Sequence, residues 1–146
     1  MPVNQRVAAY GVVVDSGRVL LSHWRAAGLW ILPGGGIEPF EDPADAAVRE
    51  LLEETGLAVE LDELLGVDSV VVPASERADP SDGPLHWLRI VYRAHVMGGE
   101  LRDETDGSTD TAAWFDLDEL AGMPRVGLVD VGLRLAGYPI ERENRP

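Results

Sequence analysis

Apolar and polar positions along the chain repeat with two different periods. Residues 7–14, VAAYGVVV, form an unbroken apolar, β-branched run, followed by the turn signal DSG and then RVLLSHW. This pattern predicts a hairpin pairing residues 6–14 with 18–24. In AAGLWILPGGG, a short strand from Leu29 to Leu32 is expected to stop at Pro33 and the three glycines. The period then changes to 3.6. Ala44, Ala47, Val48, Leu51 and Thr55 share one stripe at 100° per residue, which predicts a helix with that face inward. Its ends are marked: Asp42 suits the N-cap, Pro43 the first helical position and Gly56 the residue beyond the C-terminus. Asp45 places a carboxylate at the positive end of the helix dipole.

Beyond the helix, LAVELDELLGVDSVVVP predicts a strand around residues 59–72, and residues 74–83 read as a polar loop. LHWLRIVYRAHVMGGEL is a strong strand pattern with a GG turn expected near its end. An acidic loop, RDETDGSTD, leads to a short strand in TAAWFDLDEL, and residues 126–137 predict a final helix. Strands and helices alternate without repeat or linker. One domain over residues 1–146 is expected, of α/β (α+β) class, with a mixed sheet covered by helices on both faces.

Charge and composition narrow the functions open to such a domain. The net charge of −14 disfavours a nucleic acid polymer as partner. It does not disfavour a small phosphorylated ligand, because a divalent cation reverses the local sign. Cysteine is absent, which removes disulfides, thiolate metal sites and a cysteine nucleophile. No apolar run is long enough to span a membrane, and the opening MPVNQRVAAYG lacks signal-peptide character, so a cytoplasmic protein is expected. A homodimer is compatible with the sequence, which does not specify one.

The stretch from Leu32 to Leu57 holds seven carboxylates in 26 residues. Glu50, Glu53 and Glu54 recur at spacings that share one helix face, and like charges so placed destabilise a helix by about 0.2–0.5 kcal/mol per pair. Carboxylate oxygens are the ligands of hard cations such as Mg²⁺, which relieve that repulsion and supply a Lewis acid. The preceding glycines allow close backbone approach, so a main-chain carbonyl can join the ligands.

Gly35, Glu41, Arg49, Glu50, Leu51, Glu53, Glu54, Gly56 and Leu57 match in order and spacing the box of the Nudix family, over residues 35–57. The order of elements around it resembles the Nudix fold along nearly the whole chain, which implies an α/β/α sandwich. The resemblance implies a hydrolase that cleaves the pyrophosphate bond of a nucleoside diphosphate linked to another group, with Mg²⁺ or Mn²⁺ as cofactor. Glu50, Glu53, Glu54 and the Gly35 carbonyl correspond to the metal ligands. Glu50 or Glu53 orients or deprotonates the water, Arg49 holds a glutamate in position, and Glu41 braces the loop–helix junction. Gly56 is a structural helix terminator.

The sequence departs from the family pattern twice. Phe40 stands where many relatives have Gly, and Ser108 where many have a further Glu. Glu104, in the acidic loop with Asp103, Asp106 and Asp110, is the first candidate to replace that acid. Pro73, sixteen residues after Leu57, is similar to the pattern in ADP-ribose pyrophosphatases, although ordinary strand punctuation is the stronger reading of a proline that ends DSVVVP. MutT-like hydrolysis of nucleoside triphosphates fits as well. Candidates for binding the substrate are Trp30, with Trp24 and Trp87, to stack on a base, and Arg25 or Arg89 to meet phosphate. His23, His86 and His95 show no ligand spacing. The rival reading is a non-catalytic nucleotide-sensing Nudix domain, but such domains usually lose box glutamates, and all are present here.

Overall fold

A computed structural model of the protein describes residues 4–140, so Met1–Val3 of the opening segment lie outside it. Strand β1 (Gln5–Val12) is apolar on both faces, and Ala8 to Val13 are buried at every consecutive position. A strand buried on both sides belongs inside a sheet rather than in a two-stranded arm. β1 accordingly runs parallel to β7 (Leu85–Gly99) and antiparallel to a short strand of glycines, β5 (Gly34–Gly36). β6 (Leu57–Val72) pairs with the far side of β7, giving the mixed order β5-β1-β7-β6.

The expected pairing of residues 6–14 with 18–24 is therefore not formed. Only β2 (Val14–Asp15) returns against β3 (Arg18–Trp24), through a two-residue turn in which Ser16 and Gly17 both have positive φ. β3 is instead the centre of a second sheet. β8 (Thr109–Asp116) lies along one edge, with β2 and β4 (Leu29–Ile31) along the other. The mixed sheet that the sequence predicts is thus split into two four-stranded sheets.

Two further expectations change. The glycines after Pro33 do not merely stop a strand: they form β5, where a Cβ on Gly34 would lie 2.2 Å from the Ala9 carbonyl oxygen. Gly98 and Gly99 make no turn, but extend β7 against Ala58 and Leu57.

Helix α1 (Pro43–Thr55) carries the expected punctuation. The Asp42 carboxylate accepts from the Ala44 amide at 2.9 Å, and Gly56 closes the helix at φ 79°. α1 covers one face of the sheets, packing Leu51 against Val13, Leu20 and Val59, and Ala46 and Ala47 against Ala9. Helix α2 (Gly127–Leu135) covers the other face with Leu128, Val129 and Leu133 against Val12, Leu21 and Val91. This is the α+β layering expected, with helices on both faces. No helix among the described residues is long and apolar enough to cross a membrane.

Candidate active site

The inward stripe of α1 includes one charged residue. Glu54 is 5% exposed, turned under β5 rather than sharing the outer face with Glu53. Its Oε2 accepts from the Gly34 amide and from the Ser22 hydroxyl of β3, each at 3.1 Å. Burial pushes the Glu54 carboxyl up to about 8, against the pull of the Gly34 donor and with the charges of Glu50 and Glu104 adding to the rise. Glu50 is half-buried and pushed up by the same desolvation, which outweighs the opposing pull of Arg49. A Cβ on Gly35 would lie 2.7 Å from the Glu50 carboxyl carbon, so only glycine leaves room for that carboxylate beside β5.

Arg49 organises the outer half of the site. Its Nε and Nη2 form a fork on Glu41 at 2.7 and 2.8 Å, and Nη2 also donates to the Gly36 carbonyl at 3.2 Å. Nη1 donates to Glu50 at 3.1 Å and to Glu53 at 3.3 Å. The guanidinium holds the Glu41 carboxyl down at about 2. Glu41 Oε1 also accepts from the Glu38 amide at 3.1 Å, and the Glu41 amide closes a turn on the Glu38 carbonyl. Phe40 occupies the third position of that turn at φ 65°, a conformation that favours glycine, with its ring fully exposed. Phe40 does not wall the cavity described below.

Among the described residues, no three acidic or histidine side chains stand close enough to share one cation. Arg49 lies between Glu50 and Glu53 and takes up the charge that a cation would otherwise balance. The donor set nevertheless fits a hard divalent ion. Glu50 and Glu54 stand beside the glycine strand in surroundings that disfavour uncompensated charge, and Glu53 lies one turn from Glu50 on the same helix.

A cavity of about 430 Å³ opens beside Glu54 and Gly34. Tyr10, Trp24 and Trp87 form aromatic walls, and a strap of two 3-10 turns (Ala74–Glu76 and Pro80–Asp82) borders it. Arg77 fixes the strap by donating to the Gly83 carbonyl at 2.8 Å. Tyr10 is 2% exposed, and burial raises its phenol to about 12, so the hydroxyl is neutral at physiological pH. Trp87 stands edge-on to Tyr10 at 6.2 Å, and its buried indole N–H donates to no atom of the described residues.

Three of the substrate-binding candidates lie elsewhere. Arg89 is buried, ion-paired with Asp68 and stacked 4.7 Å from the ring centroid of Trp87, a cavity wall, but does not itself line the cavity. Trp30 packs on Phe115 at 4.6 Å and on His23 at 5.0 Å. The Arg25 side chain is half-exposed and 4.0 Å from Asp110. Of the three tryptophans suggested for stacking, Trp24 and Trp87 line the cavity, joined by Tyr10, and Trp30 does not. Their aromatic character was visible, but their shared face was not, because it depends on the parallel pairing of β1 with β7. Ser22 was also missed; a lone hydroxyl in the apolar run of β3 was the available signal.

In the acidic loop, Ser108 lines the cavity where an acid was sought. Glu104 accepts from the Thr109 hydroxyl at 2.7 Å, and its charge acts on both Glu50 and Glu54. Asp103 accepts from the Thr111 hydroxyl, and Asp110 pairs with His23 at 2.8 Å.

Comparisons with known proteins agree with this geometry. Residues 4–130 match the model of the NUDIX domain. The chain is 37% identical over 121 residues to an ADP-ribose pyrophosphatase of Methanocaldococcus jannaschii, covering 81% of this chain and 66% of that protein. A MutT-like protein of Streptomyces ambofaciens is 33% identical over 121 residues, covering 82% of this chain and 70% of its own length. The chain thus spans about two thirds of these relatives. A solved structure of a MutT NUDIX hydrolase from Burkholderia pseudomallei superposes with a TM-score of 0.73 at 32% identity, covering 90% of this chain and 98% of that one. With the box of α1, its glycine strand and its buried glutamate in place, the chain belongs to the Nudix hydrolase family and is an enzyme of that class.

Proposed function

We propose that the protein cleaves the pyrophosphate bond of a nucleoside diphosphate linked to another group, in a reaction that depends on Mg²⁺ or Mn²⁺. The observation that carries this reading is the buried carboxylate of Glu54 at the mouth of an aromatic cavity, on the same helix as Glu50 and Glu53. Nudix hydrolases generally depend on divalent metals, and Glu50, Glu53, Glu54 and the Gly35 carbonyl are the groups that would hold one here. Such an ion supplies charge neutralisation of the pyrophosphate and a Lewis acid.

The chain's own residues do the rest. Arg49 holds Glu50 and Glu53 in place from the Glu41 fork. Glu50 or Glu53 orients the attacking water. Glu104 accepts its proton if the base lies opposite the helix, a role supported by its electrostatic reach to Glu50 and Glu54. Tyr10, Trp24 and Trp87 offer a stacking surface for the nucleoside base, and the neutral Tyr10 hydroxyl a hydrogen-bonding partner for its edge.

ADP-ribose, which the name of the Methanocaldococcus jannaschii relative gives, and the nucleoside triphosphates expected of MutT-like members both suit such a cavity. The test is a phosphate-release and product screen over ADP-ribose, nucleoside triphosphates, NADH, dinucleoside polyphosphates and 5′-triphosphate RNA, with Mg²⁺ or Mn²⁺. Turnover of at least one small nucleotide supports the proposal. Turnover of none, with the protein folded, overturns it and favours a nucleotide sensor.

A further inference from the structure

The acidic loop before β8 is tied down at both ends. The Arg102 amide donates to the carbonyl of Thr55, the last residue of α1, at 3.0 Å. The Arg25 amide, just past β3, donates to the Ser108 carbonyl at 3.1 Å. The acids between are thus strung from the helix of the site to the second sheet. Two threonines of β8 reach them: Thr111 donates to Asp103 at 2.8 Å and Thr109 to Glu104 at 2.7 Å. Asp103 is exposed, but Glu104 is half-buried and Thr109 is 3% exposed.

Electrostatics alone would not keep Glu104 there. Its charge acts on Glu50 and Glu54, two carboxylates of like sign, in a chain of net charge −14. Its neighbours Asp103, Thr105 and Asp106 are exposed, so water is close at hand. Two features hold the carboxylate against that repulsion. A hydroxyl donating to a carboxylate makes a charge-assisted bond, and Thr109 is β-branched, so its restricted χ1 aims the donor in advance. The second feature is Gly107. A Cβ there would overlap the Glu104 carboxylate. Gly107 is not among the glycines of positive φ, so the position supplies a missing side chain rather than backbone freedom. Gly35 makes room for Glu50 in the same way.

We propose that Thr109 and Gly107 are positioning residues of the hydrolase site, a latch that holds the Glu104 carboxylate toward Glu50 and Glu54 before any cation or substrate arrives. The acid that many relatives carry at the place of Ser108 is here supplied from four residues earlier, and the latch is what brings it back. No closure of the loop is then needed to complete the site. What Glu104 does there rests on the hydrolase reading; the latch itself does not.

Two measurements test the proposal, and one of them needs no turnover. In metal-free protein labelled with carbon-13 at the glutamate carboxyl carbons, the resonance lost in Glu104→Gln is that of Glu104. Thr109→Val and Gly107→Ala should each move it to the position of an exposed glutamate. Thr109→Ser, which keeps the hydroxyl, and Thr111→Val, which frees only Asp103, should leave it in place. In steady-state kinetics on the best nucleotide, Thr109→Val and Gly107→Ala should lower kcat by about the factor that Glu104→Gln costs, with KM little changed. Thr109→Val should cost nothing further in the Glu104→Gln background, because the two act as one unit. Melting temperatures should stay near the parent's: valine suits a buried strand position, and the Cβ added at 107 meets only the movable end of a side chain. A Glu104 resonance that neither Thr109→Val nor Gly107→Ala moves overturns the latch, and so does one that Thr109→Ser moves as far as Thr109→Val. Equal losses from Thr109→Val in both backgrounds also overturn it, since the threonine then acts without the glutamate. A parent that turns over no nucleotide overturns the hydrolase reading instead, and the resonance still decides the latch.

Discussion

Substituting Glu54 by Gln should raise the stability of the metal-free protein, by an amount that grows with pH. The folded carboxyl sits at about 8 against an ordinary value of 4.5, a difference of 3.5 units. At about 1.36 kcal/mol per unit, that corresponds to on the order of 5 kcal/mol. The folded state binds this proton more tightly than the unfolded chain, so the contribution is fully present below pH 4.5 and is lost as pH rises through 8. A glutamine cannot titrate, and its amide oxygen still accepts from the Gly34 amide and the Ser22 hydroxyl. Its new N–H₂ group needs a partner in a buried site, at a cost of about 1 kcal/mol. The variant should therefore match or slightly trail the parent at pH 5 and lead it by roughly 2–3 kcal/mol near pH 7. At about 3 °C per kcal/mol for a domain of this size, the melting temperatures separate by roughly 10 °C at pH 8–9. Thermal melts in EDTA from pH 5 to 9 make the measurement. Added Mg²⁺ should raise the parent's melting temperature at pH 8 and leave the variant's nearly unchanged. A gap that stays flat with pH, or narrows as pH rises, refutes the reasoning.

Arg49→Lys keeps the charge but loses the fork on Glu41, so turnover at saturating metal should fall at least about tenfold; steady-state kinetics equal to the parent's would show that only the charge matters. Glu104→Gln should lower turnover by more than about threefold, while Asp103→Asn, Asp106→Asn and Asp110→Asn stay within that factor, under about 1 kcal/mol of barrier; if Glu104→Gln does too, the base lies on α1. Phe40→Gly relieves a left-handed backbone that costs a bulky residue about 1–3 kcal/mol, less about 0.5–1 kcal/mol for the freedom glycine gains when unfolded. The urea midpoint should rise with turnover unchanged, and a lower midpoint would show that the exposed ring stabilises something.

The helix of the site was legible almost residue by residue. Its cap, its proline start, its glycine stop and the spacing of Glu50, Glu53 and Glu54 are local properties, and local properties survive folding. The split of the strands into two sheets was not legible. VAAYGVVV and RVLLSHW have the composition of a hairpin, and only the burial of β1 on both faces, set by β7 some eighty residues later, excludes that pairing. The glycines of β5 read as punctuation because glycine usually is; here they pair because any side chain would strike Ala9 or Glu50. Glu54 was expected on the same outer face as Glu50 and Glu53, but it lies on the inner side of the helix. A helical wheel shows that it lies between Glu50 and Leu51, not that Ser22 and Gly34 wait for it inside. The cavity was out of reach for the same reason. Tyr10, Trp24 and Trp87 come from three strands, and no single stretch of sequence shows them together.

The central claim is that Glu54, with Glu50 and Glu53, turns a cation into catalysis of pyrophosphate hydrolysis. It is tested most directly by turnover of the best nucleotide from the screen, with Mg²⁺ titrated from zero in EDTA-treated protein, for the parent and Glu54→Gln side by side. The parent should be inactive without metal and saturate as Mg²⁺ rises. The variant, folded and at least as stable, should remain at least about a hundredfold slower at saturation. Turnover that persists in EDTA, or a variant that matches the parent at saturating Mg²⁺, contradicts the account.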